Sequence, residues 1–275
     1  MEMTNMQKIE KKTEYLNEGA EEFIQSLREG TIPINANEDD FFEKLQIDSE
    51  KFLAGKIDRF EDPEYKEKDP SEEFLSNYYK STHKKTINVV ILSVDIVGST
   101  KLSHILKRES YATLISLFLR AMTQIIYNYN GYALKFVGDE VLAYFPGPDT
   151  QGMHDNALYC AYAIKKYIIS VLNPLLKDMC MPKIDFRVSL NSGQAMLAVV
   201  GHPISMQHYD LIGEPINLTK KMQLKSEVNS ILIGQSATSL AHKFWRTKAQ
   251  EVIAEEIENI KIHKINIRVC CKKTV

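Results

Sequence analysis

Residues 87–94, Ile-Asn-Val-Val-Ile-Leu-Ser-Val, are apolar and largely β-branched except for Asn88 and Ser93, and they end at Asp95. Such a run suits a central strand buried on both faces, so the rest of the chain must cover two sides of a sheet. The following pattern supplies the covers. A long amphipathic helix is predicted over 101–129. Two short strands, Tyr132–Val137 and Val141–Phe145, flank Gly138-Asp139-Glu140 as a hairpin. A helix follows at 154–171, with Pro174 disrupting what comes next. Ile184–Leu190 and Ala195–Val200 read as a second strand pair turned at Asn191-Ser192-Gly193, before a His-, Pro- and Met-rich loop at 201–208. A helix at 214–226, a strand at Ile231–Ile233, a helix near 236–245 and a strand around Ile265–Cys270 complete the pattern. Hairpins mixed with strand–helix units predict an α+β fold, an α/β sandwich with helices packed on one sheet.

The first 85 residues read differently. Tyr15, Phe23, Ile24 and Leu27 share a helical face that ends at Gly30 and Pro33, and Phe41, Phe42, Leu45, Phe52 and Leu53 suggest a second helix. The charged linker EDPEYKEKDP leads into a short helix at Ser71–Tyr79. Residues 1–85 carry 21 acidic and 13 basic side chains, a balance of −8, whereas 86–275 carry 15 and 21, a balance of +6. The division expected is a helical extension, regulatory or dimer-stabilising, over 1–85 and an α+β domain over 86–275. The positive part suits an anionic ligand such as a nucleotide, although on charge alone two solvated surfaces are the preferred reading. No basic run with interleaved aromatics supports a nucleic-acid surface. Cys160, Cys180, Cys270 and Cys271 show neither CxxC nor zinc spacing. With no apolar signal region at the N-terminus and no apolar run of membrane-spanning length, the expectation is a reduced, cytoplasmic protein.

Three segments carry residue types that do chemistry. In Asp95-Ile-Val-Gly-Ser-Thr100 a carboxylate ends a buried strand and a small-residue turn leads into a helix, which can hold a metal and the phosphate it bridges. Alone, Asp95 reads better as a helix cap. A second carboxylate, Asp139, sits in the hairpin turn, and pairing of that hairpin beside the first strand would bring the two together. Lys135 alternates with Leu134 and Phe136 in the preceding strand. In the third segment Asp210 lies ahead of a helix on which Asn217 and Lys221, four apart, share a face.

The blocks VVILSVDIVGST (89–100), GYALKFVGDEVLAYF (131–145) and HYDLIGEPINLTKKM (208–222), in this order, resemble the class III nucleotidyl cyclase catalytic domain over roughly 87–270. The resemblance implies a ferredoxin-like fold acting as a head-to-tail homodimer with composite sites at its interface. It implies that Asp95 and Asp139, with the Ile96 carbonyl, bind two divalent cations, Mg²⁺ or Mn²⁺, and that the amides of Val97, Gly98, Ser99 and Thr100 hold the triphosphate. Lys135 and Asp210 match the base-reading positions, and Asn217 matches the residue that orients the ribose. Lys221 stands where the family has arginine, Ile212 where it has tryptophan and Thr219 where it has a small residue. The implied activity is conversion of a nucleoside triphosphate, with ATP favoured because guanylate cyclases usually have glutamate at the Lys135 position. A pyrimidine cyclase of an antiphage signalling system and a degenerate, nucleotide-binding regulatory domain stand as the alternatives.

Overall fold

The computed structural model describes residues 38–56, 70–81, 86–147, 150–202, 205–252 and 261–265. The expected helix over Tyr15–Leu27, the EDPEYKEKDP linker, Cys270 and Cys271 lie outside them. The chain divides into two compact units between Ile47 and Asp48. Helix α1, Glu38–Leu53, runs through that point. In the first unit Phe41 meets Phe42 edge to face, with ring centroids 5.7 Å apart. In the second, Ser49 Oγ lies 2.8 Å from the Tyr167 hydroxyl and the Arg120 guanidinium sits 5.0 Å over the Phe52 ring.

The rest of the second unit is one mixed sheet with helices on it. In chain order the elements are α2 (Pro70–Ser81), β1 (Thr86–Val97), α3 (Ser99–Ile105), α4 (Arg108–Asn128), β2 (Tyr132–Val137), β3 (Glu140–Pro146) and α5 (Thr150–Tyr167). A π-helical turn at Ile168–Leu172 joins α5 to α6 (Asn173–Asp178). Then come β4 (Asp185–His202), β5 (Ser205–Ile212), α7 (Glu214–Lys225), β6 (Ser230–Gly234), α8 (Gln235–Leu240), α9 (Lys243–Lys248), β7 (Ala249–Val252) and β8 (Ile262–Ile265). The strands lie in the order β2-β3-β1-β4-β6-β8-β7, with β5 added along β4. Only β4 and β6 pair in parallel among the described strands.

The central apolar run does what its composition dictates. Val89, Ile91, Leu92 and Val94 are all fully buried, and each such side chain contributes roughly 1.5–3 kcal/mol by leaving water. Alternation sends Ile87, Val89 and Ile91 to one face, where they join Leu142, Tyr144, Ala195, Leu197, Leu75 of α2 and Ile216 of α7. Val90, Leu92, Val94 and Ile96 point to the opposite face, where α4 and α5 pack on the central strands.

Several expected boundaries change. Strand β1 does not end at Asp95 but pairs with β4 as far as Val97. The helix expected over 101–129 is two helices, broken where Leu106 turns extended at φ −85°, ψ 151°. Pro174 does not interrupt the chain: helical backbone runs through Leu172 and Asn173 into α6, where Pro174 sits in the first turn directly after the π-helical turn. Asn191-Ser192-Gly193 is not a turn: it lies inside β4 opposite Ile91, Val90 and Val89. Its glycine answers a close approach, since a Cβ there would lie 2.7 Å from Pro215 Cγ. The loop expected at 201–208 is largely strand, with Val200 paired to His208. The helix expected at 236–245 is α8 and α9, separated by an extended Ala241.

His154 is an interior histidine whose Nδ1 lies 2.5 Å from the Thr150 carbonyl and whose Nε2 has no partner. Burial lowers its pKa below the ordinary value near 6.5. The unfolded chain therefore takes up the proton first as pH falls through that value, so this group's contribution is complete above about pH 6.5 and is lost below it. Denaturant midpoints should drop between pH 7.5 and 5.5, and the drop should be smaller in His154→Gln; an equal drop in both would contradict this account of His154.

Candidate active site

The site is built on the sheet face that carries α2 and α7. Two-residue alternation places Ser93 and Asp95 on this face of β1, and the antiparallel register sets Ser189 opposite Ser93 and Arg187 opposite Asp95 on β4. On the other side Leu142 of β3 is opposite Ser93. One step further, Glu140 falls alongside Asp95 on the same face.

Asp139 arrives through the hairpin. The turn between β2 and β3 is Gly138-Asp139, with Gly138 at φ 67°, a left-handed conformation that glycine adopts without a Cβ penalty. The turn folds Asp139 over the end of β1, where one carboxylate oxygen accepts from the Ile96 N–H at 3.2 Å and the other from Ser99 Oγ at 3.0 Å. Val97–Thr100 forms the passage from β1 into α3, with Gly98 also left-handed at φ 74°. The structure thus brings together Asp95, Asp139, Ile96 and the Val97–Thr100 backbone.

Asp95 Oδ1 is buried and has no hydrogen-bond partner among the described residues. Burial pushes its carboxyl pKa up; the Arg187 cation pulls it down, Asp139 raises it, a Gln223 hydrogen bond lowers it, and Glu140 raises it. An orphaned carboxylate oxygen beside a second carboxylate and a strand-end carbonyl is a hard oxygen donor set, the kind Mg²⁺ and Mn²⁺ prefer. Among the described residues no three His, Cys, Asp or Glu side chains converge as a metal site. A cation here would rest on Asp95, Asp139 and the Ile96 carbonyl, and these residues fit one.

Lys135 of β2 and Asp210 of β5 meet each other. Their side chains form an ion pair at 2.6 Å, and the other Asp210 oxygen accepts from the Leu211 N–H at 2.8 Å. Asn217 and Lys221 are both exposed on α7, on a stripe that continues through Leu224. Outward exposure on α7 is thus what the structure shows for Asn217 and Lys221.

Five residues escaped the sequence reading: Glu140, Gln223, Ser93, Ser189 and Arg187. Glu140, placed in the turn by its sequence position, is the first residue of β3 and is 8% exposed. It accepts from Ser93 Oγ at 2.5 Å and from the Lys220 ammonium. Gln223 of α7 accepts from Ser189 Oγ at 2.6 Å and donates to the Arg187 carbonyl at 3.2 Å. A signal existed: Ser93, Ser189 and Arg187 are polar residues on the inward period of otherwise apolar strands.

Comparison with known proteins gives this geometry a family. Residues 81–267 match the adenylate and guanylate cyclase catalytic domain. The soluble guanylate cyclase gcy-31 of Caenorhabditis elegans is 26% identical over 149 residues, 54% of this chain and 21% of its own length. A cytidylate cyclase of Escherichia coli is 24% identical over 163 residues, 54% of this chain and 34% of its own. The photoactivated adenylate cyclase subunit alpha of Euglena gracilis is 30% identical over 131 residues, 47% and 12% respectively. The chain therefore spans between 12% and 34% of the length of these relatives. Among solved structures, the adenylyl cyclase CyaB of P. aeruginosa superposes with a TM-score of 0.61 at 22% identity, covering 70% of this chain and all of that one. The guanylyl cyclase Cya2 gives 0.59 at 18%, covering 67% and 94%. The sheet order, the carboxylate pair at the end of β1 and the matched span lead to one conclusion: the chain belongs to the adenylate and guanylate cyclase catalytic domain family.

Proposed function

We propose that residues 86–275 form a nucleotidyl cyclase domain that converts a nucleoside triphosphate, preferentially ATP, to a 3′,5′-cyclic nucleotide and pyrophosphate, with residues 1–85 as an extension. The observation that carries this reading is the tethering of Asp139 to Ile96 and Ser99 beside the unpartnered oxygen of Asp95. Two divalent cations, Mg²⁺ or Mn²⁺, would supply the charge that eases deprotonation of the ribose 3′-hydroxyl and offsets charge on the triphosphate. Asp95, Asp139 and the Ile96 carbonyl hold them, while N–H groups of Val97–Thr100, in the turn that opens α3, receive phosphate oxygens.

The nucleobase is read by the Lys135–Asp210 pair. The Leu211 N–H holds one carboxylate oxygen, so the oxygen now facing Lys135 is positioned for an exocyclic amino group, and the ammonium for a ring nitrogen. Adenine presents that donor–acceptor edge; guanine does not. Cytosine presents it too, and cytidylate cyclases of Escherichia coli are among the relatives, so a pyrimidine cyclase is the second reading. Asn217 orients the ribose, and Lys221 gives a point charge where the family's arginine gives a planar fork. Because Asn217 and Lys221 face outward on α7, with Leu224 beside them at 77% exposure, the active unit is a homodimer in which each site takes its metal residues from one copy and its base and ribose residues from the other.

Incubation with each of the four nucleoside triphosphates and Mn²⁺, with products identified by mass spectrometry, tests the reaction. Cyclic AMP is expected as the main product; cyclic CMP as the main product selects the second reading, and no cyclic product from any substrate refutes both. Mn²⁺ should raise the melting temperature of the wild type by a few degrees and leave Asp95→Asn unmoved, with the metal-free variant melting no lower than the wild type because a buried charge is gone. An equal Mn²⁺ response in both would place the cation elsewhere. Lys221→Ala should lower kcat at least tenfold with little change in KM, and Lys221→Arg should hold or raise kcat. Unchanged kcat in the alanine variant removes Lys221 from the mechanism.

A further inference from the structure

Helix α7 presents two lysines in succession to different surroundings. Lys221 shares the outward face with Asn217, one turn earlier, whereas Lys220 is rotated by about 100° toward the sheet. There its ammonium meets Glu140, whose other oxygen takes the hydroxyl of Ser93. Ser93 is fully buried and Glu140 nearly so. A buried carboxylate beside Asp95 and Asp139 is costly unless both its oxygens are satisfied, and here both are. A second contact lies one turn along, where Gln223 meets Ser189 of β4.

Resting on the cyclase reading above, we propose that the Glu140–Lys220 pair is a strut that fixes the rotation and height of α7 on the sheet, making Glu140 and Lys220 positioning residues for Asn217 and Lys221. The strut joins two halves of different chemistry within one chain. Glu140 stands next to the metal-binding carboxylates on β1 and the β2–β3 turn, and Lys220 stands on the helix whose far side serves the ribose and the transferring phosphate. Lys220 is on this account not the phosphate-facing cation, because Glu140 and the sheet hold its ammonium on the inner side of α7. An ion pair of this kind is a weak source of net stability, since apolar residues of similar size can replace it at little cost, but its geometry defines one placement of the helix.

Two measurements test the strut. The first is hydrogen exchange on the whole chain in the absence of nucleotide: Glu140→Gln and Lys220→Met should each speed exchange of the 217–223 amides while leaving α4 and α5 unchanged. The second is steady-state kinetics on whichever triphosphate the wild type turns over. Both variants should lose roughly tenfold or more in kcat with KM nearly unchanged, since displacing a group by about an ångström costs up to about a hundredfold. The double variant should be no worse than the poorer single one, and Lys220→Arg should recover most of the loss. Unaltered exchange in α7 overturns the strut, as does wild-type kcat in Glu140→Gln alongside an inactive Lys220→Met, which would put Lys220 on the substrate. A wild type that makes no cyclic nucleotide overturns the cyclase reading instead, and the exchange experiment still decides whether the pair holds α7.

Discussion

The Asp139 carboxylate accepts from the Ile96 N–H and the Ser99 hydroxyl, and this pair of hydrogen bonds determines where two segments some forty residues apart meet. It is possible only because β3 lies against β1 in a register that pairs Val141 with Val94. A shift by one residue would turn Asp139 from the end of β1 and send Glu140 to the face that carries α4 and α5. The register is in turn held by the apolar alternation of both strands: Val94 and Val141 are fully buried, as are Leu92 and Ala143 opposite it. Packing thus fixes the position of the carboxylates to within a residue, and burial leaves Asp95 short of a partner.

The charge on this face is distributed so that the carboxylates are tolerated without being neutralised. Arg187 lies opposite Asp95, Lys220 takes Glu140, and Gln223 reaches from α7 toward Asp95 and Ser189. Asp95 retains a buried oxygen with no donor, which costs stability that a cation can return. Lys135 and Asp210 solve a different problem. Each is the other's partner at 2.6 Å, so on the proposed reading a base would have to exchange one polar contact for two, and selectivity would rest on whether its edge offers the matching donor and acceptor.

Much of this was legible from residue order. The all-apolar β1 run, the Gly138-Asp139 turn and the Asn217/Lys221 face each follow from periodicity or turn chemistry acting over a few residues. What was not legible depended on contacts between distant segments. Asn191-Ser192-Gly193 has the composition of a turn, yet its glycine exists to let Pro215 approach β4. Pro174 sits in the first turn of α6, directly after a π-helical turn in which the Asn173 N–H reaches the Ile168 carbonyl, so the helical path continues past it. No glycine or proline announces the break at Leu106 between α3 and α4. Glu140 was hidden by its neighbour: beside an aspartate in a turn it looks solvated, and only the register with β1 shows that it points inward. The roles of the site residues are carried by resemblance, and the geometry adds which of them one chain can bring together.

That last distinction is the centre of the account, and subunit mixing tests it most directly. A dimer of Asp95→Ala with Asn217→Ala has one site lacking both residues and one site lacking neither. Equal mixing with free subunit exchange should therefore recover about a quarter of wild-type turnover from two inactive parents. Recovery at that level is the predicted result; no recovery, with heterodimers demonstrated by mass, would contradict a site shared between copies.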